Sequence, residues 1–185
     1  MVSNQNILDE IDNYLYTYEE GYPTQDSLNS IESLLRQASQ DQKNNALNYV
    51  VKVGEPELVD LIIDLGADVN SVIREQTPLM AAIIDPDNHW VKQRNIVETL
   101  LDRGANPSEV VNEKTVDDVI NSEINILRAK NNSETDIQTL ENIKEMINQR
   151  RDRIQGGKRK RKQTKKKKRK KRKSTKKKSK RRQRK

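Results

Sequence analysis

The sequence contains no cysteine and no phenylalanine, and it has only one histidine and one tryptophan among 185 residues. Without cysteine, disulfide bonds and thiolate metal ligands are excluded, which fits a reducing intracellular compartment, the nucleus or the cytoplasm. No stretch approaches the roughly 18 consecutive apolar residues that a membrane span requires. The N-terminal segment also lacks the basic and apolar regions of a signal peptide. We therefore expect a soluble intracellular protein without a membrane span.

The scarcity of histidine also limits catalysis. The single histidine, His89, lies beside Asp85, Asp87 and Asn88, a grouping that invites a metal or acid–base interpretation. Catalytic metal sites usually need three protein ligands on rigid elements, whereas this cluster contains a proline and lacks the glycine and distal glutamate of a calcium loop. A glycine-rich phosphate loop, a serine elbow and a His-Glu-x-x-His motif are all absent. We expect a solvated turn here, no enzyme, no metal and no cofactor.

Charges of the two signs are segregated along the chain. Of the 36 Lys and Arg residues, 22 lie in residues 158–185, which contain no acidic residue. The preceding 157 residues hold the other 14 basic residues and all 28 acidic ones, a net charge of −14, although the whole chain is +8. The tail has no apolar side chain with which to offset the entropy of folding, so we expect it to be disordered. The acidic body is long enough for one domain with a core.

Apolar residues in the body recur at three- and four-residue spacing, which is typical of amphipathic helices. Two such runs end in Gly66-Ala67-Asp68-Val69-Asn70 and Gly104-Ala105-Asn106-Pro107, and their glycines are 38 positions apart. A glycine after the last turn readily takes the left-handed conformation that caps a helix. Thr77 and Thr115 each follow eleven positions later, and a threonine hydroxyl can cap the next helix. The pattern predicts a recurring unit of two helices and a turn.

The segment Thr77-Pro78-Leu79-Met80-Ala81-Ala82 resembles the T-P-L-H-x-A opening of ankyrin repeats, a family whose unit has about 33 residues. Asn45-Ala46-Leu47-Asn48-Tyr49-Val50 is a degenerate version of the same motif. Asn48 and Met80 take the place of the family's histidine. The resemblance covers roughly residues 41–121. It implies an all-α, ankyrin-like solenoid of about four stacked helical hairpins, each burying apolar surface that it could not bury alone.

This resemblance sets the expected domain boundaries. An ankyrin-repeat domain would occupy residues 1–155, followed by a disordered Lys/Arg-rich tail at 156–185. Within the domain we expect N-terminal capping helices at 1–40, a repeat at 41–73, a repeat with an insertion at 74–111 and a degenerate C-terminal capping repeat at 112–155. The insertion follows from the spacing, because Thr77 and Gly104 are 27 positions apart where Asn45 and Gly66 are 21 apart.

The resemblance further implies a noncatalytic, monomeric scaffold that binds another protein through exposed turn tips and inner helices. The tip positions of the family fall on Lys43 and Asn44, on Glu75 and Gln76, and on Glu113 and Lys114. Trp90 lies in the insertion, at the opposite end of the hairpin. It either anchors a partner, since tryptophan is common at interface hot spots, or covers the apolar end of its own helix pair.

The tail has no aromatic residue on which bases could stack, so the expected contact is nonspecific, with the phosphates of DNA or RNA. The candidate residues for this contact are all basic: Lys158, Arg159, Lys160, Arg161, Lys162, Lys165, Lys166, Lys167, Lys168, Arg169, Lys170, Lys171, Arg172 and Lys173. The first five also resemble a nuclear localisation signal. Acidic lipid surfaces, or the acidic body itself, would attract the same charges. If nucleic-acid binding were the main activity, the body would be an acidic modulator of the tail.

The junction Gly156-Gly157-Lys158, which runs into this Lys/Arg/Ser/Thr-rich end, is similar to the termini of many proteins encoded by giant nucleocytoplasmic DNA viruses. Proteins of these viruses also carry abundant ankyrin repeats. This second resemblance implies a viral protein that acts in a host cell.

Overall fold

A computed structural model describes residues 3–19, 25–84, 90–130 and 134–154; the side chains of residues 17–19, 90 and 91 lie outside this description. The chain divides into two compact units, Met1–Ile147 and Asn148–Lys185. In the second unit, residues 148–154 are described and are helical. The predicted disordered tail and the predicted turn around His89 both lie outside the described residues.

The first unit is built mostly from helices. Their bounds are α1 Asn4–Glu19, α2 Gln25–Gln37, α3 Gln40–Val53, α4 Pro56–Asp64, α5 Pro78–Ala81, α6 Trp90–Asp102 and α7 Val116–Ala129, and a further helix, α8, occupies residues 134–154. Helices α1 and α2, α3 and α4, and α5 and α6 pack as pairs. Lys144 of α8 donates to Asn121 of α7 at 2.8 Å, which joins a fourth pair. The predicted pairing of helices is confirmed.

The pairs stack in two rows. Helices α1, α3, α5 and α7 contact one another in that order and form an inner row, while α2, α4 and α6 form an outer row. One continuous cluster of buried side chains runs through both rows, from Ile7 to Ile147. The predicted stripes supply it, for example Leu58 and Ile62 of α4 and Ile96 of α6, all fully buried. Each such side chain contributes about 1.5–3 kcal/mol when removed from water.

The ends of the helices follow the predicted signals. Gly66 and Gly104 have φ values of 98° and 96°, in the left-handed region that favours glycine. The N–H of the next alanine then reaches back to the helix, Ala67 to the carbonyl of Ile62 at 3.1 Å and Ala105 to that of Leu100 at 2.8 Å. Thr77 accepts a hydrogen bond from the N–H of Met80 at 3.2 Å, and Thr115 caps α7 in the same way. Local capping therefore sets these boundaries.

The structure departs from the all-α expectation where the chain turns between pairs. Strand β1, Val110–Val111, pairs antiparallel with β2, Lys114–Thr115, and one isolated bridge joins Ile73 to Gln76. Both reversals are two-residue turns with consecutive positive φ values, as in type I′ hairpins. These hairpins could not be predicted, because Arg-Glu and Asn-Glu stand where hairpin turns usually have Asn-Gly or Asp-Gly. The strands are two residues long, so the fold remains mostly helical.

The expected exposed tip at Lys43 and Asn44 is wrong in its geometry. Both residues lie inside α3, which begins at Gln40, five positions before the degenerate motif. Ser39 caps this helix reciprocally with Gln42, a capping box that the sequence analysis missed. Only two residues separate α2 from α3, so no hairpin stands between the first two pairs. Asn44 is buried, with 8% of its surface exposed.

A tyrosine side chain connects α1 to the second pair of helices by a hydrogen bond. The hydroxyl of Tyr49 in α3 donates to a carboxylate oxygen of Asp12 in α1. Burial, together with the hydrogen bond to Asp12 and the negative charge of Asp12, raises the pKa of Tyr49 to about 12. The protonated phenol is therefore favoured in the folded state.

We expect this contact to make stability sensitive to high pH. Because an unfolded tyrosine has a pKa of about 10 and the folded value is higher, the contribution is complete below pH ~10 and is lost as the pH rises to about 12. The free energy of unfolding should fall more steeply between these values in the wild type than in Tyr49→Phe. Tyr16→Phe is the matched control, since Tyr16 is 63% exposed, and it should follow the wild type. If the free energy of unfolding depends on pH in the same way in Tyr49→Phe and in the wild type, Tyr49 is not the group responsible.

Candidate protein-interaction surface

Side-chain amides hold successive turns together. Gln40 donates to the carbonyl of Gly66 at 2.9 Å, and Asn44 accepts from the N–H of Asp68 at 2.8 Å. Asn70 alone makes both equivalent contacts one repeat later. It donates to the carbonyl of Gly104 at 3.3 Å and accepts from the N–H of Asn106 at 2.7 Å. We call these contacts the amide clamps. Gln40 and Asn44 of α3 hold the turn that follows their own pair, and Asn70 in that turn holds the turn that follows the next pair.

Each clamped turn is also closed locally. The carboxylate of Asp68 accepts from the N–H of Asn70 at 2.9 Å, and the amide oxygen of Asn106 accepts from the N–H of Ser108 at 3.1 Å. Such Asx turns fix the backbone before a hairpin begins. The turns that lead to the hairpin tips are thus held in two ways, by hydrogen bonds within the turn and by an amide clamp.

The clamp at Asn44 can be tested against a neighbour in the same helix. Asn44→Leu leaves the Asp68 N–H without its acceptor and should lower the free energy of unfolding by about 1–3 kcal/mol. Asn48 lies one turn later and is equally buried, but among the described residues its Nδ2 atom has no hydrogen-bond partner. Asn48→Leu should therefore change stability by less than about 1 kcal/mol. Denaturant unfolding measures both, and equal losses would refute the clamp.

The structure places Glu75 and Gln76 on one tip and Glu113 and Lys114 on the next. Glu75 and Glu113 occupy the same turn position, with φ values of 64° and 62°, and both are exposed. Trp90 begins α6, but its side chain lies outside the description, as do all the predicted phosphate-binding residues of the tail. The structure thus brings together two of the three predicted pairs of tip residues.

An open groove of about 270 Å³ lies between the two tips and the inner helices α5 and α7. Four apolar side chains line it, namely Met80, Ile84, Val111 and Val119. The polar lining consists of Arg74, Glu75, Gln76, Asn112, Lys114, Asp118, Ser122 and Glu123. The contribution of α7 to the groove was not predicted. Its residues 118, 119, 122 and 123 recur at three- and four-residue spacing, which was a signal that they share one region of the helix surface.

One carboxylate of the groove has a fixed position and charge. Asp118 accepts from the N–H of Thr115 at 2.8 Å and from its hydroxyl at 2.6 Å. These hydrogen bonds lower the pKa of Asp118, the hydroxyl contact having the largest effect. Asp118 therefore stays ionised beside the groove. Together with Glu75 and Glu123 it outnumbers the two cations of the lining, Arg74 and Lys114.

Other carboxylates serve the stack itself. Arg103 at the end of α6 binds Asp60 of α4 at 2.9 Å and also binds Asp64, one turn along the same helix. The hydrogen bond to Asp64 is the main reason that the pKa of Arg103 is raised. At the other end of α6, Lys92 pairs with the buried Glu55 at 2.8 Å. These pairs tie the outer row together and lie apart from the groove lining.

Two absences apply to the described part of the chain. It has no group of three or more His, Cys, Asp or Glu side chains arranged to hold a metal ion. None of its helices combines the length and the apolar character that crossing a membrane requires.

The paired helices, the glycine-capped turns and the hairpin tips together match a known family. The family model "Ankyrin repeats (3 copies)" matches residues 24–110, which include α2 and end at β1. This segment is similar to ankyrin repeats. Ankyrin repeats are usually noncatalytic, and no enzyme family was found for the chain. A search of curated proteins found no match. The family match gives no support to the viral resemblance of the tail.

Proposed function

We propose that this ankyrin repeat protein is a noncatalytic scaffold that captures a protein partner with its two hairpin tips and the groove between them. Ankyrin repeats typically mediate protein–protein interaction, which supports the class of function. The observation that carries the proposal for these residues is the backbone of the tips. Arg74, Glu75 and Glu113 have φ values of 48°, 64° and 62° although none of them is glycine.

Left-handed backbone costs roughly 1–2 kcal/mol at residues with a Cβ atom, and glycine or asparagine would relieve it. Only Asn112 among the four turn residues is of a type that tolerates this conformation well. Strained residues of this kind persist where the surrounding structure fixes them, and they cluster at binding sites. The exposed Glu75 and Glu113 make no core contact that explains them, so we infer that they are retained for a partner.

The double substitution Glu75→Gly and Glu113→Gly should separate folding from binding. Because it removes two strained positions, we expect the free energy of unfolding to stay unchanged or rise by up to about 1 kcal/mol per site. Affinity for a partner captured by the full chain, measured by calorimetric titration, should fall at least tenfold. Glu75→Gln with Glu113→Gln is the control, since it removes the charges and keeps the strain. Wild-type affinity in the glycine variant would refute the proposed role of the tips.

The second candidate function is nonspecific nucleic-acid binding by the tail, with Lys158–Lys162 as a nuclear localisation signal. It is favoured by one observation, the 22 basic residues among residues 158–185 with no acidic residue. A polycation gains free energy when phosphates release their counterions, and the gain declines as salt rises. The net charge of −14 on the preceding 157 residues opposes any such contact by the body.

Removing residues 158–185 should therefore abolish binding to double-stranded DNA and leave capture of the protein partner intact. For the full chain, the logarithm of the DNA affinity should fall linearly with the logarithm of salt concentration. Fluorescence anisotropy with a labelled duplex measures both. The Glu75→Gly and Glu113→Gly variant should bind DNA like the wild type. Salt-resistant DNA binding, or DNA binding that survives the truncation, would exclude the tail as the site.

A further inference from the structure

The groove between the tips has the size and lining for an apolar side chain. Its volume of about 270 Å³ corresponds to roughly nine water molecules at ~30 Å³ each. Met80, Ile84, Val111 and Val119 line it, so those waters lie against apolar surface. Replacing them with one large apolar side chain removes apolar area from water on both partners, which is the main source of favourable binding energy.

A second apolar position continues the same surface. Helix α5 ends at Ala81, whereas α7 runs to Ala129, so the later turns of α7 have no α5 residues beside them. Ile126 lies seven positions after Val119, on the same face of α7, and is 40% exposed. At 1.5 Å per residue the two positions are about 10 Å apart along the helix. An occupant can therefore contact the groove with one apolar side chain and Ile126 with another.

Charge and composition exclude two other occupants. The three carboxylates of the lining, and the net charge of −14 on residues 1–157, oppose nucleic-acid phosphates. The basic tail of a second copy would be attracted, but residues 158–185 include no apolar side chain to fill the groove. An occupant that satisfies both the apolar lining and the negative field carries apolar and basic residues together.

We propose that the groove binds a short basic segment of a partner protein that carries two apolar side chains about 10 Å apart. One side chain enters among Met80, Ile84, Val111 and Val119, and the second covers Ile126. Lysines or arginines between them face the carboxylates of Asp118 and Glu123. This inference rests on the proposed scaffold function and specifies the chemistry of its partner. In an extended polyproline-type segment, residues three positions apart meet the spacing, at ~3.1 Å per residue.

The probe is a short blocked peptide with two leucines three positions apart and lysines between and beside them, titrated into the full-length chain. Amide chemical shifts should change saturably at Val111, Val119, Ser122 and Ile126. Replacing both leucines with serine should weaken binding at least tenfold, because the apolar contact is lost. Replacing the lysines with glutamate should weaken it at least tenfold at low salt. Equal binding of the glutamate peptide, or shifts confined to other surfaces, would overturn the inference.

Variants of the protein complete the test. Val119→Asp should abolish binding, and Ile126→Ser, at an exposed position, should weaken it at least threefold without loss of folding. Asn125→Asp is the control, because it adds the same charge as Val119→Asp outside the groove lining and should bind normally. A synthetic copy of residues 158–185 in excess should not displace the leucine peptide. Displacement would identify the tail as the occupant and refute the inference.

A result that refutes peptide binding in the groove can be distinguished from a result that refutes the scaffold function. If binding of the captured partner requires Glu75 and Glu113 but no basic apolar peptide enters the groove, the inference about the groove is refuted and the proposed scaffold function is retained. If the tip substitutions leave partner capture unchanged, the scaffold proposal fails through a separate measurement.

Discussion

Each pair of helices depends on its neighbours, because its apolar stripe cannot be buried within the pair. Ile62 of α4 and Ile96 of α6 are fully buried only because the pairs stack side by side. Apolar contact does not by itself fix how far one pair slides along the next. The amide clamp of Asn70 supplies that register, since Asn70 follows α4 and binds backbone atoms of the turn after α6. The clamp of Asn44 fixes the turn that follows its own pair. Hydrophobic burial thus holds the pairs together, and directional hydrogen bonds align them.

Because the clamps act on backbone groups, they set the position of the tips without using the tip side chains. The turn residues are then free to carry side chains that folding does not require. Glu75 and Glu113 illustrate this freedom, since both adopt a conformation that glycine would adopt at lower cost. If the tips bind the partner as proposed, a change of tip residues would change the partner while the clamps and the core remain the same.

Features that depend on local chemistry could be predicted from the sequence. Periodic apolar residues gave the helices, and Gly66, Gly104 and Thr77 marked their ends, because capping involves residues only a few positions apart. The hairpin tips could not be predicted, since their strained turns lack the usual turn residues and the clamps that hold them come from residues distant in the chain. The tip at Asn44 was misplaced for a different reason. Motif alignment located the degenerate repeat but not the capping box at Ser39, which starts α3 earlier. The groove was missed because it arises only when two tips and two helices are adjacent.

The acidic body and the basic tail respond differently to salt, and this difference separates their roles. Part of the negative charge of the body has a structural use, as in the pairing of Asp60 and Asp64 with Arg103 and of Glu55 with Lys92. At physiological ionic strength the Debye length is about 8 Å, so exposed charges act only over short distances. The proposed contacts of the tail with phosphate would weaken steeply as salt concentration rises. Contacts with the apolar lining of the groove do not depend on charge, so screening by salt does not weaken them. The proposed recognition of a protein partner would therefore rely on the surface that salt affects least.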